Sequence, residues 1–170
     1  MPFKPMTDPS KSIRCLWMPS CAILSCLLLI LSASAIAQDG AASWLDEGNL
    51  ALENGSFRLA LDCFDRALKI EPENASAWGG RGMALSRLGR YKMAGLCFGS
   101  ALRTDARNQT LWLEDGRAKE LAGKWSAARK SYAKAIDLEE SLARAWLGLA
   151  NASLALGEYE DALKGFENAS

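Results

Sequence analysis

From residue 41 to residue 170 the apolar positions recur with two nested periods. The shorter period is helical. Trp44, Leu45, Ala51 and Leu52 recur at helical spacing within 41–54, and Leu61, Phe64, Ala67 and Leu68 do so within 57–70. Each stretch therefore predicts a short amphipathic helix. Between them Asn54-Gly55-Ser56 supplies a turn that tolerates left-handed backbone. Glu71-Pro72 ends the second helix, because the residue before a proline disfavours the helical region.

The longer period is 34 residues. Trp44, Trp78, Trp112 and Trp146 mark four units, each followed four residues later by Gly48, Gly82, Gly116 or Ala150. A glycine comes next (Gly55, Gly89, Gly123, Gly157), then an aromatic (Phe57, Tyr91, Trp125, Tyr159) and an alanine (Ala60, Ala94, Ala128, Ala162). A second aromatic (Phe64, Phe98, Tyr132, Phe166) and a second alanine (Ala67, Ala101, Ala135, Ala169) complete the unit. Such a period decides architecture before local propensity does. Gly48 and Ala60 fall where the two helices of a hairpin cross closely, while Trp44 and Phe64 fill the remaining space and reach the neighbouring unit. One hairpin cannot bury both of its apolar faces, so the units are expected to stack.

These columns resemble the tetratricopeptide repeat, whose 34-residue unit carries W-x2-L-G-x2-Y, then A-x3-F, an alanine and a late proline. The resemblance covers residues 41–170, in units 41–74, 75–108, 109–142 and an incomplete 143–170. It implies an all-α solenoid, a right-handed superhelix of helix-turn-helix hairpins. The departures are specific. The apolar place before the small residue holds Glu47, Arg81 and Asp115, and only Leu149 fits. The later tyrosine place holds Ala51, Leu85, Lys119 and Ser153, and the late proline survives only as Pro72, with Ala106 and Glu140 at its other places. These changes are expected to weaken individual turns. The run Gly79-Gly80-Arg81-Gly82 is expected to soften its helix, since each glycine costs about 1 kcal/mol against alanine.

Residues 1–37 have a different composition. Lys4, Lys11 and Arg14 precede an uncharged stretch from Cys15 to Ala37, and Ala35-Ile36-Ala37 then presents a small-x-small site. This order matches a secretory signal peptide cleaved after Ala37, with 38–40 a short linker. An uncleaved signal anchor is the rival reading, since the stretch could span about 30 Å of bilayer. Either reading puts the repeats outside the cytoplasmic membrane, secreted or in the cell envelope. A lipoprotein site at Cys26 fits less well, because the strongest apolar run continues beyond that cysteine. Five of the six asparagines lie in N-x-S/T sequons: Asn54, Asn74, Asn108, Asn151 and Asn168. They are candidate N-glycosylation sites, and a glycan on Asn151 would confine a ligand to the first three units.

The chemistry available is sparse. Without histidine the chain lacks the commonest general base and metal ligand. Its glycines occupy repeat places and form no phosphate-cradling loop. No enzyme, no cofactor and no metal site is expected. Beyond residue 37, 17 basic side chains stand against 19 acidic ones, which gives no field for nucleic acid. Cys15, Cys21 and Cys26 lie in the targeting segment. Cys63 and Cys97 share one repeat place on successive second helices. Neighbouring helices pack about 8–10 Å apart, further than the roughly 7 Å a disulfide spans. Two half-buried free thiols are expected, with an intermolecular disulfide as the alternative. Glu47, Arg81 and Asp115, alternating in sign at one place, predict either a ladder that sets the register of the units or three solvated side chains.

The resemblance further implies that the second, fifth, ninth, twelfth and thirteenth places of each unit face a concave groove. Those candidates are Leu45, Asn49, Leu52 and Glu53, then Met83, Ser86 and Arg87. The third unit adds Leu113, Arg117, Glu120 and Leu121, and the fourth Leu147, Asn151 and Leu154. Such a mixed surface suits another protein's amphipathic helix or extended segment. The clamp by which some members grip a chaperone's C-terminal carboxylate is matched only by Asn49, with Leu45, Gly80, Thr110 and Glu114 at its other places. The four tryptophans are assigned to repeat packing. Ser170 falls before the last helix completes its pattern, which suggests a fragment of a longer protein, end-to-end self-association or a frayed helix. The function expected is a non-enzymatic interaction scaffold, or else the non-catalytic repeat domain of a longer enzyme or envelope-biogenesis factor.

Overall fold

The computed structural model describes residues 40–170, so the targeting segment, its cleavage site and its three cysteines lie outside the described residues. Four hairpins follow one another: α1 (40–53) with α2 (Phe57–Ile70), α3 (Ala75–Arg87) with α4 (Tyr91–Thr104), α5 (Gln109–Leu121) with α6 (Trp125–Leu138), and α7 (Ala143–Leu156) with α8 (Tyr159–Asn168). Each helix from α2 onward packs on the next in the chain, and the first helices α3, α5 and α7 also touch in turn. Among the described residues this is an all-α solenoid of helical hairpins. Gly40, the last residue of the span read as a linker, is already helical.

The turn within each hairpin depends on its glycine. Gly55 has φ 72°, and its N–H reaches the Leu52 carbonyl at 3.1 Å while that of Ser56 reaches Ala51 at 2.8 Å. This pair of bonds satisfies carbonyls that the helix end leaves without partners. Between units the tryptophans do the equivalent work. The Trp78 indole donates to the Pro72 carbonyl at 2.8 Å, Trp112 to Ala106 at 2.9 Å and Trp146 to Glu140 at 2.8 Å. Because the acceptor is a backbone carbonyl, any residue can supply it. The second helices accordingly end at the equivalent residues Ile70, Thr104 and Leu138 whether or not the proline is present. Asn74 and Asn108 start α3 and α5, accepting from the N–H of Ala77 (2.9 Å) and Leu111 (3.2 Å).

Stacking places one aromatic ring between two first helices. Phe64 is fully buried, and a Cβ added at Gly48 of its own unit or at Gly80 of the next would lie 2.8 Å or 2.3 Å from the ring. Tyr132 sits likewise between Gly116 and Gly148. The glycine run in α3 is thus a packing requirement, contrary to the expected soft spot. Gly79 approaches Leu111, Gly80 approaches Phe64, and Gly82 approaches Phe98. The helical cost of glycine is offset by contacts a larger residue would prevent.

Two other expectations are corrected. Cys63 and Cys97 are free, as expected, but fully buried rather than half-buried. The ladder of Glu47, Arg81 and Asp115 does not form. Arg81 pairs instead with Asp65 on α2 at 2.7 Å and donates to the Cys97 thiol on α4 at 3.0 Å. Asp115 is buried against Lys119 and Ser131, while Glu47 is exposed. This repeat place faces the second helices, so residues equivalent along the stack are not each other's nearest partners.

Candidate functional site

The first helices line a groove with two cavities. The larger, about 820 Å³, takes Asn49, Leu52 and Glu53 from α1 and Met83, Ser86 and Arg87 from α3. Glu114, Arg117 and Leu121 of α5 line it too, and Phe57 and Tyr91, first residues of α2 and α4, also contribute. The smaller, about 340 Å³, lies between α5 and α7 and is lined by Leu113, Glu114, Arg117, Glu120, Leu147 and Asn151, with Tyr132, Arg144 and Gly148. Glu114 and Arg117 line both, so the two cavities adjoin at α5.

Twelve of the fourteen groove residues expected from the repeat places line one or both cavities. Leu45 and Leu154 do not. Leu45 is half-buried against Ala51, Ala60 and Phe64, and Leu154 is exposed beside the groove. Sequence reasoning missed Phe57 and Tyr91, which it read only as members of an aromatic repeat column. Their position at the start of second helices, just after the turn, brings them to the groove. Arg144 holds a second place and was within reach of the repeat rule. Glu114 holds one of the clamp places that the resemblance had already put in the groove, and Tyr132 gave no such signal.

Charge in the groove is arranged rather than merely mixed. Arg87, Arg117 and Arg144 make no ion pair among the described residues, where the pairs are Arg81–Asp65, Lys119–Asp115, Arg129–Glu158 and Lys134–Asp137. Tyr132 passes between its two glycines and donates its hydroxyl to Glu120. Burial, and then that hydrogen bond to a carboxylate, hold its phenol far above the ordinary range, so it stays protonated and fixes Glu120 in the smaller cavity. The groove therefore offers three unpaired guanidiniums, one oriented carboxylate and apolar walls from Leu52, Met83 and Leu121.

A second polar cluster has a different character. The Ser131 hydroxyl lies 2.9 Å from the Lys119 ammonium and 2.7 Å from Asp115, a grouping of nucleophile and base types. Ser131 is 1% exposed, however, and lines neither cavity of the groove. The cluster is buried away from the groove and joins α5 to α6.

The tetratricopeptide-repeat sequence profile matches residues 45–109 and 113–170. No curated protein matches the sequence. Among solved structures, a crystal structure of MamA superposes with a TM-score of 0.74 at 18% identity, over 76% of each chain. The first repeat domain of human RPAP3, solved by NMR, gives 0.67 at 24% identity, over 72% of this chain and 97% of that one. The first repeat domain of Spaghetti (RPAP3), bound to the HSP90 peptide SRMEEVD, gives 0.68 at 24% identity, over 70% and 94%. These identities show a shared fold alone.

Proposed function

Since the chain belongs to the tetratricopeptide-repeat family, we propose that it is a non-enzymatic interaction module whose groove holds a segment of another protein. The observation that carries this reading is the pair of adjoining cavities along the first helices, in which three unpaired arginines and an oriented glutamate stand among apolar walls. Apolar walls supply affinity, and fixed polar groups set register and direction. The likeness to a repeat domain solved with a bound peptide supports a peptide-binding role. The carboxylate clamp is not carried over, because its places here hold Leu45, Gly80, Thr110 and Glu114. Photo-crosslinkers at Met83 and at Lys134, on the opposite side of the units, test the assignment in the full-length protein. Partner adducts are expected from position 83 and are expected to fall with Arg117→Glu. Equal labelling from position 134 overturns it.

We place this module outside the cytoplasmic membrane. The basic start, uncharged stretch and small-x-small site of residues 1–37 support that reading, as do the sequons. The Nδ2 groups of Asn74 and Asn108 donate to Glu71 (2.6 Å) and Asp105 (3.1 Å) at helix starts, so these two asparagines have a folding role that accounts for their repetition. Asn54, Asn151 and Asn168 are exposed and have no such role. Fractionation with intact-mass analysis tests export. A cytoplasmic protein retaining residues 1–37 overturns it.

End-to-end self-association has its own supporting observation. Phe166 is 36% exposed, whereas Phe64 and Phe98, at its repeat place, are fully buried. Tyr159 and Leu163 are exposed along the same helix face. Light scattering on wild type and Phe166→Glu tests this: association lost in the variant supports it, and a wild-type monomer excludes it.

A further inference from the structure

The even charge balance conceals a segregation by helix. From residue 40 onward, 17 basic side chains stand against 18 acidic ones. On the second helices the exposed charges are mostly basic. α2 exposes Arg58, Arg66 and Lys69 against Asp62 and a half-exposed Asp65 that is paired with Arg81, and α4 exposes Lys92 and Arg103 with no acid. α6 exposes Lys130 and Lys134 against Asp137. The first helices show no such bias: Asp46, Glu47 and Glu53 are balanced by Arg87, Arg117 and Arg144. α8 is reversed, with Glu160, Asp161 and Glu167 against Lys164. The outer side of the first three units therefore carries a basic field of its own.

Apolar groups stand within that field. Leu96, midway along α4, is 75% exposed, and Met93, one turn earlier, is also exposed. Leu59 on α2 is exposed at the repeat place of Met93. Gly95 and Gly99 lie either side of Leu96, and a Cβ at either would meet nothing within 4 Å. No close approach requires these glycines, in contrast to Gly48 or Gly80. Their effect is to leave Leu96 proud of the helix. Lys92 and Arg103 share its face, at one and two turns' distance.

We propose that the outer faces of α2, α4 and α6 dock on an anionic lipid bilayer, with Leu96 and Met93 entering the headgroup layer and the lysines and arginines reaching the phosphates. A projecting leucine in a basic, convex face suits a deformable anionic surface. Lipid can close around the side chain, and the basic residues bury their stems while their charges stay among the headgroups. Nucleic acid would satisfy the charges and leave the leucine unused, and a rigid acidic protein would need a pocket cut for it.

The test is flotation of the full-length protein with phosphatidylcholine vesicles and with vesicles containing about a quarter phosphatidylglycerol. The N-terminal segment is common to every variant, so its contribution cancels between them. Binding to the anionic vesicles is expected to be about tenfold stronger and to weaken at high salt, where screening shortens the field. Lys92→Glu/Arg103→Glu should remove most of that preference, and the uncharged Leu96→Gln should weaken binding to the anionic vesicles, with helical content unchanged in both. Arg107→Glu/Lys124→Glu, an equal charge change off this face, should have little effect. Equal losses from the two double variants, or no loss from either, overturn the proposal. Charge dependence without any effect of Leu96→Gln overturns the lipid assignment in favour of a soluble polyanion.

Discussion

The Ser131 hydroxyl donates to Asp115 across 2.7 Å, joining the third unit's two helices at the pair of repeat places where Arg81 meets Cys97 in the second. The pair differs in chemistry between units and coincides in geometry. In the second unit Arg81 continues outward to Asp65 of the unit before, and so ties three helices together. In the third, Lys119 completes the set from within α5.

Arg81→Met is therefore expected to lower the melting temperature by about 2–4 °C, the effect of roughly 1 kcal/mol in a domain of this size. The discount to that figure reflects the partial exposure of the Asp65 pair. Arg87→Met, which breaks no ion pair, should have almost no effect. Lys119→Met should cost more, about 3 kcal/mol, because it leaves the buried Asp115 carboxylate without a counter-charge. Thermal unfolding of the three variants decides the order; equal shifts for Arg81→Met and Arg87→Met would contradict it.

The glycines divide into two classes with opposite predictions. Gly80→Ala puts a methyl 2.3 Å from the Phe64 ring and should destabilise by about 1–3 kcal/mol. Gly95→Ala fills open space within a helix and should stabilise by about 0.5–1 kcal/mol. Urea midpoints at constant slope measure both.

Tyr132 should resist ionisation. Burial first, and then the bond to Glu120, raise its pKa above the unfolded value of about 10. Its contribution to stability is complete below that value and is lost as pH rises above it, because the unfolded chain then releases a proton that the folded one keeps. Ultraviolet titration should show Tyr132 ionising only as the protein unfolds, and Tyr132→Phe should remove that late step.

The thiols of Cys63 and Cys97 should be inert in the folded protein. Burial raises both, with Glu47 adding to the effect at Cys63 and Arg81 opposing it at Cys97. Fewer thiolates and little access both slow reaction. Maleimide labelling, mapped by mass spectrometry, should be at least tenfold slower at these two positions in buffer than in urea, on the order expected for buried thiols.

Much of this molecule is legible in its sequence, for a definable reason. Helix lengths, the glycine turns and the stacking of aromatic on small residues follow from local rules applied four times over, so an ambiguity in one unit is settled by the other three. The same periodicity placed most of the groove, because a residue's repeat place fixes which side of its helix it occupies. Periodicity does not say which neighbour a side chain meets. Arg81 finds Asp65 and Cys97, and Tyr132 crosses between two glycines to hold Glu120, only because stacking brings other helices to those atoms. The run Gly79-Gly80-Arg81-Gly82 looked weak until the rings it admits were in place. Net charge behaves in the same way. A total close to zero was read from composition, and only the packed helices separated a basic outer side from the rest, because exposure is a property of the assembled stack.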